Sequence, residues 1–198
     1  MRVLSHFARW SVGLAAAETQ TTAAARDCLA SSAAGRRRLV EIGVWHGVTT
    51  ARLRAAMAPD GVLLAVDPFP VGRLGLSLQR LIARREVARV ANGRVRWIRL
   101  TGAGAAARYA ASGEPPVDLV FIDGDHVYDA IRADWEGWSP LVAEGGVVAL
   151  HDSRPTVGRP IHDAGSVRFT NEVILRDPRF ELFETEDTLS VVRRRSVP

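Results

Sequence analysis

Carboxylates and imidazoles follow directly on short apolar runs in this chain. Glu41 and Gly43 end the run that starts at Leu39, Asp67 ends Val62–Val66, and Asp123, Asp125 and His126 end Val117–Ile122. His151 and Asp152 close the run at 147–150, and Thr101-Gly102 closes the one at 95–100. A carboxylate accepts hydrogen bonds from hydroxyls or binds a divalent ion, and an imidazole takes up a proton near neutral pH. Helix starts ask for an acidic cap at one or two such places. Acids at most of the run ends exceed that need and predict one shared crevice.

The stretch Leu39-Val40-Glu41-Ile42-Gly43-Val44-Trp45-His46-Gly47-Val48-Thr49-Thr50 narrows the ligand. An apolar run leads in, two glycines punctuate it, and a helix-forming segment at 51–57 leads out. A strand, a tight turn and a helix start in that order expose backbone N–H groups where small ligands bind in α/β proteins. A dinucleotide would want three glycines spaced G-x-G-x-x-G. Only Gly43 and Gly47 are present, and Trp45 and His46 fill places that phosphate loops give to small residues. Asp67, at the next run end, suits a carboxylate that accepts from both hydroxyls of a ribose. A ligand with a ribose and no phosphates fits best.

The elements that must hold these residues alternate along the chain. Residues 7–16 and 21–33 are Ala-rich and read as helices. Strands are expected at 39–42, Val62–Val66, 95–100, Val117–Ile122 and 147–150, the last opened by a Gly145-Gly146 turn. Leu74, Leu78, Leu81 and Ile82 have helical spacing, 102–111 is helical, and Ile131, Trp135, Trp138 and Val142 form a helical stripe that faces the sheet. After the Pro/Gly-rich loop at 154–165, 167–175 reads as a helix, and 180–185 with 189–193 as a terminal hairpin. Apolar strands between helices mean a parallel sheet covered on both faces, here with an antiparallel end. One domain over 1–198, with 1–36 as a helical segment packed on it, accounts for the 198 residues.

Composition excludes several classes. No run approaches the ~20 apolar residues of a membrane span. Residues 1–17 imitate a signal peptide loosely, but His6 and Arg9 interrupt it, and an N-terminal helix is expected instead. The single Cys28 rules out an internal disulfide and fits a reducing cytoplasm. The net charge is +4 and all 26 basic residues are Arg. Their clusters, Arg36-Arg37-Arg38 and Arg193-Arg194-Arg195, flank strands without interleaved aromatic residues, so nucleic acid is not an expected partner.

Taken in order, residues 40–50, Ala65-Val66-Asp67-Pro68-Phe69, Val120-Phe121-Ile122-Asp123-Gly124-Asp125-His126 and Glu144-Gly145-Gly146-Val147-Val148-Ala149-Leu150-His151-Asp152 resemble the motifs of class I S-adenosylmethionine-dependent methyltransferases. Within that class the chain is most similar to small bacterial enzymes related to catechol, caffeoyl-CoA and macrocin O-methyltransferases, over about residues 18–195. The resemblance implies a Rossmann-like seven-stranded sheet of order 3-2-1-4-5-7-6 with strand 7 antiparallel. It implies that Glu41, Gly43, Trp45 and Gly47 surround the methionine part and ribose of the cofactor, and that Asp67 binds the ribose. By the same resemblance Thr101 and Gly102 meet the adenine, Gln20 belongs to a segment that closes over the cofactor, and Asp123 borders it. Asp123, His151 and Asp152 match the metal ligands of the metal-dependent relatives.

His151 departs from the all-oxygen set that suits Mg²⁺; an imidazole favours a softer divalent ion or none. Three roles therefore stand open for Asp123, His151 and Asp152: a Mg²⁺ or Mn²⁺ site, a metal-free arrangement with His126 or His151 as base, or hydrogen bonding at strand ends. The expected activity is methylation of a hydroxyl on a small molecule, with nitrogen methylation as its neighbour. A metal-dependent hydrolase and a non-catalytic cofactor-binding protein are the alternatives from other classes. The acceptor and any homo-oligomer are not legible in the sequence.

Overall fold

The structure, a computed structural model, describes residues 2–72 and 75–196. Seven strands form one sheet in the order β3-β2-β1-β4-β5-β7-β6. They are β1 (Arg38–Ile42), β2 (Val62–Val66), β3 (Arg94–Ile98), β4 (Val117–Ile122), β5 (Val142–Leu150), β6 (Phe180–Glu186) and β7 (Leu189–Arg194). The first five run parallel, and β7 is antiparallel to both β5 and β6. This is the sheet order that the motif resemblance implies.

Successive strand residues point to opposite faces, so an apolar strand feeds two cores. Val40, Ile42, Leu64, Val66, Val120, Ile122, Val148 and Leu150 face one way. They pack under α5 (Gly102–Ala111), α6 (Tyr128–Trp138) and α7 (Gly165–Glu172). Leu39, Leu63, Leu119, Phe121, Val147 and Ala149 face the other way, against α2 (Ala23–Ala33) and α3 (Val48–Ala56). Cys28 is buried in this second core, where burial pushes its thiol up to about 12 and Glu184 and Glu186 add to the effect. A smaller cluster of Val44, Ala65, Phe69 and Ala83 seats α4 (Leu78–Ala88).

Local chemistry sets the boundaries. α1 (Arg2–Ser11) starts and stops earlier than the composition suggests, because Gly13 takes a left-handed φ of 79° and its N–H returns to the Trp10 carbonyl. α2 opens on Thr22, whose side chain accepts from the Ala25 N–H. α4 opens on Ser77 in the same manner, so the helical spacing starts at Leu78, and Leu74 lies outside the described residues. Val142 is not part of the α6 stripe. A 3₁₀ turn at Ser139–Leu141 releases it into β5, and Gly145-Gly146 lie within that strand. The extra residues are absorbed by a register shift against β4 between Val117 and Leu119.

Among the described residues no helix is long and apolar enough to cross a membrane. Both arginine clusters are used internally. Arg38 pairs with Asp118, Arg193 and Arg195 with Glu181, and Arg194 donates to the Pro140 and Val142 carbonyls.

Trp138 connects this core to the cleft described below. It is 1% exposed, and its indole N–H donates to the Gly102 carbonyl at 3.0 Å. Trp138→Ala should cost about 3–5 kcal/mol in urea unfolding from the cavity it leaves. Trp138→Phe, which keeps most of the volume and loses the donor, should cost about 1–3 kcal/mol.

Candidate functional site

A cleft of about 740 Å³ opens at the carboxyl ends of β1, β2 and β4, where the strand order reverses. Its near wall is the turn after β1. Gly43 has φ 87°, and a Cβ there would fall 2.1 Å from the Asp123 carbonyl oxygen, so the ends of β1 and β4 meet only through a glycine. Gly47 has φ 76°, precedes the first residue of α3, and touches the Ala83 backbone. Gly47 does not line the cleft; its part is to let α3 leave close to α4.

Asp67, 7% exposed, ties this turn to the end of β2. Its Oδ2 accepts from the Val44 N–H at 3.1 Å and from Gln79 at 3.0 Å, and its Oδ1 accepts from the Phe69 N–H at 2.6 Å. The carboxylate lines the cleft with Gly43, Trp45 and Pro68. Gln79 holds one of the positions from which a ligand hydroxyl would donate.

Glu41 differs from its expected place. It is fully buried, does not line the cleft, and neither carboxyl oxygen has a well-formed hydrogen bond. Burial raises its pKa well above the ordinary carboxylate value; Asp123 and Asp67 push the same way, against the Thr50 hydroxyl. Burial thus disfavours the charged form of Glu41, which lies beneath the turn.

The far wall comes from two helix starts. Thr101, Gly102 and Ala103 open α5, with the Thr101 hydroxyl accepting from the Gly104 N–H. Gly124, Asp125, His126, Ala130 and Asp134 lead into and along α6. Glu18, Thr19 and Gln20 close the mouth. They are held by His46, whose Nδ1 accepts from the Glu18 N–H at 3.0 Å, while His6 of α1 lies 3.2 Å from the Glu18 carboxylate. Burial lowers the pKa of His46, with His6 beside it adding to the effect, which suits an accepting neutral ring.

His6, Glu18 and His46 bring ligand atoms within 4.8 Å of one another. The two imidazole planes, however, are stacked at 7° with centroids 5.0 Å apart. Parallel planes send their in-plane lone pairs along separate paths, so this cluster has the shape of a latch and not of a metal cage.

The second such group lies beside the cleft. His151 Nδ1 is 2.7 Å from Asp123 Oδ1, and His126 Nε2 and His151 Nε2 are each 3.8 Å from an Asp152 oxygen. Burial works against a charged His151 ring, but Asp123, with Asp152 behind it, outweighs burial and holds the ring above the ordinary histidine value. Burial also pushes Asp152 up, and there the Arg159 guanidinium and the His151 ring prevail and keep it below the ordinary carboxylate value. His126 lines the cleft, whereas His151 and Asp152 stand behind it, each 3% exposed.

Of the expected metal set, Asp123 and His151 lie 2.7 Å apart, whereas Asp152 is bound to Arg159. A divalent ion on that carboxylate would face a guanidinium. The donor atoms that converge within 4.8 Å belong to Asp123, His126 and His151, and two imidazoles with one carboxylate do not suit Mg²⁺.

Gln20, Gly43, Trp45, Asp67, Thr101, Gly102, Asp123 and His126 all line the cleft. Trp135 and Trp138 are core residues at 2% and 1% exposure. Arg159, Gln79 and Asp134 were not anticipated. Asp134 carried a signal, because it falls on the same helical face as Ile131 and Trp138, where an apolar residue is expected.

A methyltransferase-domain family (Methyltransf_24) matches residues 40–153. Among solved structures, cofactor-bound Rv0187 from MTB aligns with a TM-score of 0.69 and 18% identity, over 100% of this chain and 91% of that one. The O-methyltransferase TomG from Streptomyces achromogenes, solved with SAM, aligns at 0.67 and 20% identity, over 99% and 91% of the two chains. An O-methyltransferase from Bacillus cereus, solved with SAH, aligns at 0.64 and 20% identity, over 98% and 89%. At these identities the likeness is one of fold.

Gly43→Ala tests the turn. It adds a left-handed penalty and a clash with Asp123, whereas Gly113→Ala, at φ 69° with open space around it, adds only the penalty. Gly113→Ala should cost ~1 kcal/mol in chemical denaturation, and Gly43→Ala distinctly more.

Proposed function

The chain belongs to the methyltransferase-domain family, and from that premise we propose that it transfers the methyl group of S-adenosylmethionine to a hydroxyl oxygen of a small molecule, with His126 as the base. The observation that carries this is one cleft with a ribose-type carboxylate, Asp67, at one end and His126 beside Asp123 at the other. The turn between Gly43 and Trp45 and the start of α5 at Gly102 line the same cleft, where they would meet the methionine part and the base. Two similar folds, each an O-methyltransferase solved with SAM or SAH, support the donor and oxygen as the acceptor atom.

The reaction needs little covalent help from the protein. The acceptor oxygen attacks the sulfonium methyl in line; the O–C bond forms as the S–C bond breaks, and the electron pair stays on sulfur. The hydroxyl proton passes to the His126 ring and then to solvent, leaving a methyl ether and S-adenosylhomocysteine. Attack of an oxyanion on a sulfonium disperses charge, so a water-poor cleft favours it and alignment dominates. His126, with one face on the cleft, accepts the proton. Asp123 and His151 form the ion-paired support behind it. Arg159 keeps Asp152 ionised, and that carboxylate lies 3.8 Å from His126 Nε2.

A softer divalent ion on Asp123, His126 and His151 is the second reading, favoured by the convergence of their donor atoms. Such an ion would lower the pKa of the acceptor hydroxyl and orient it.

Calorimetry with S-adenosylhomocysteine tests the donor. Asp67→Ala should weaken binding about tenfold or more, since two charge-assisted hydrogen bonds are lost. Undiminished binding would remove the cofactor assignment. Product release from phenols, sugar hydroxyls and polyketide-like acceptors then identifies the substrate class. With an acceptor in hand, His126→Ala should lower kcat by ~10²–10⁴ and leave S-adenosylhomocysteine binding intact. Full activity after EDTA treatment is expected of the histidine base. Activity lost to EDTA and restored by Mn²⁺ would transfer the role to the metal.

A further inference from the structure

The arginines are not spread evenly along the chain. Residues 78–99 hold seven Arg and one Glu, a net +6 in a chain of net +4, so the rest of the chain is net −2. Some of this charge is used locally. Val95 and Trp97 of β3 pack toward α4, so Arg94 and Arg96 alternate to the other face of the sheet, where Arg96 pairs with Glu114. Arg89 pairs with Glu86. Arg80 lies over the Phe69 ring, Arg85 lies over the Trp10 ring, and Arg99 donates to the Phe69 carbonyl. Among the described residues none of these three, nor Arg84, has a carboxylate partner. Arg80 Nε is buried without a hydrogen-bond partner, and burial, Arg84 and Arg99 all lower the pKa of Arg80, so these guanidiniums repel one another.

The helix turns this charge outward. Ile82, Ala83 and Val87 of α4 are buried, whereas Leu81, Arg84, Arg85 and Ala88, spaced i, i+3, i+4 and i+7, are exposed. That outer face carries no acid. It does carry apolar surface: Leu81 is 43% exposed among the arginines, and Leu76, just before the helix, is 55% exposed. α1, packed on α4 through Trp10, exposes Val3 and Leu4. Charged side chains on an edge strand discourage pairing with another sheet. Arg94 and Arg96 meet that need on β3, and the arginines of α4 stand where it does not arise.

We propose that this face of α4, with Arg99 beside it, docks on the surface of an anionic lipid bilayer. Cations mixed with aliphatic side chains match a layer of phosphate headgroups with acyl chains beneath it. The arginines meet the phosphates, and Leu76 and Leu81 enter the layer under them. Nucleic acid would call for aromatic platforms between the arginines. The two indoles at this face are not presented as such, because Trp10 is buried and Trp97 is half-buried against Phe69. α1 joins the face to the cleft, since His6 holds Glu18 at the rim. The docking does not depend on the identity of the methyl donor.

The test is sedimentation of the full chain with vesicles of phosphatidylcholine alone, and with vesicles that also hold about 30% phosphatidylglycerol. The protein should bind only the second, and raising NaCl from about 0.1 M to about 0.5 M should release it. Arg84→Glu should weaken binding about fivefold or more. Leu81→Ser should weaken it about threefold or more. Arg108→Glu makes the same charge change on α5, across the sheet, and should alter binding by less than about twofold. All three variants should keep the wild-type melting profile and S-adenosylhomocysteine affinity. Equal binding to neutral vesicles overturns the proposal, as does equal weakening by Arg84→Glu and Arg108→Glu. Absence of binding to the anionic vesicles also overturns it, and a single-stranded RNA held by the wild-type protein but not by Arg84→Glu would then give the face to nucleic acid.

Discussion

The Asp67 carboxylate is the bond on which the cleft depends. In one group it collects the N–H of the turn after β1, the N–H of the turn after β2 and the amide of Gln79 on α4. A carboxylate has about four lone-pair positions, so three protein donors leave little unused. The consequence is a competition. A ribose diol entering beside Asp67 meets an acceptor already served by Gln79, while the two backbone donors stay fixed by the turns. The side chain is the partner that yields. The same carboxylate can thus hold the turn in place before a ligand arrives and bind the ligand afterwards, with one flexible amide exchanged.

The distribution of charge follows from what each acid finds beside it. At the end of β1, Glu41 finds no cation and no backbone donors among the described residues, and burial raises its pKa well above the ordinary carboxylate value. Asp152 finds Arg159 and stays ionised although it is equally enclosed. Asp123 finds His151, and the pair shares charge across 2.7 Å. These three carboxyl groups, in and behind the crevice, therefore do not sum to a strongly negative pocket. That matters for a reaction in which a sulfonium must be bound and its charge then lost. A heavily anionic site would hold the charged donor more strongly than the transition state, where the positive charge is already fading.

The sheet was legible in the sequence because each strand is an apolar run long enough to face two cores, and strand order came with the motif resemblance. The near wall of the cleft was legible for the same reason: Gly43, Asp67 and Asp123 are consecutive with strand ends. Boundaries fixed by a single side chain were less so. Gly145-Gly146 look like a turn by composition, but they lie inside β5, in the irregular stretch between Val142 and Val147, which pair with β4 on either side of it. Asp134 and Arg159 lie away from strand ends, on a helix face and in a patternless loop, and their meaning is purely tertiary. Glu41 shows the converse. Its place at a strand end was correct, but alternation turns it into the sheet, away from the cleft.

The N-terminal segment is joined to the site by chemistry that no motif contains. α1 packs on α4 through Trp10, whose N–H donates to Glu86 while Arg85 lies over the ring. From there the chain descends to Glu18, clasped between His6 and His46, and Glu18, Thr19 and Gln20 form the rim. His46 belongs to the same turn as Val44 and Trp45, and its ring stacks on Trp45 as well as on His6. The rim is therefore anchored to the very loop that the donor's methionine part would touch. Because His46 must be neutral at Nδ1 to accept from the Glu18 N–H, protonation there would break the rim's main-chain bond. Burial, which lowers that ring's pKa, keeps the bond intact as the surroundings become more acidic. The same burial that builds the turn thus also secures the segment that covers it.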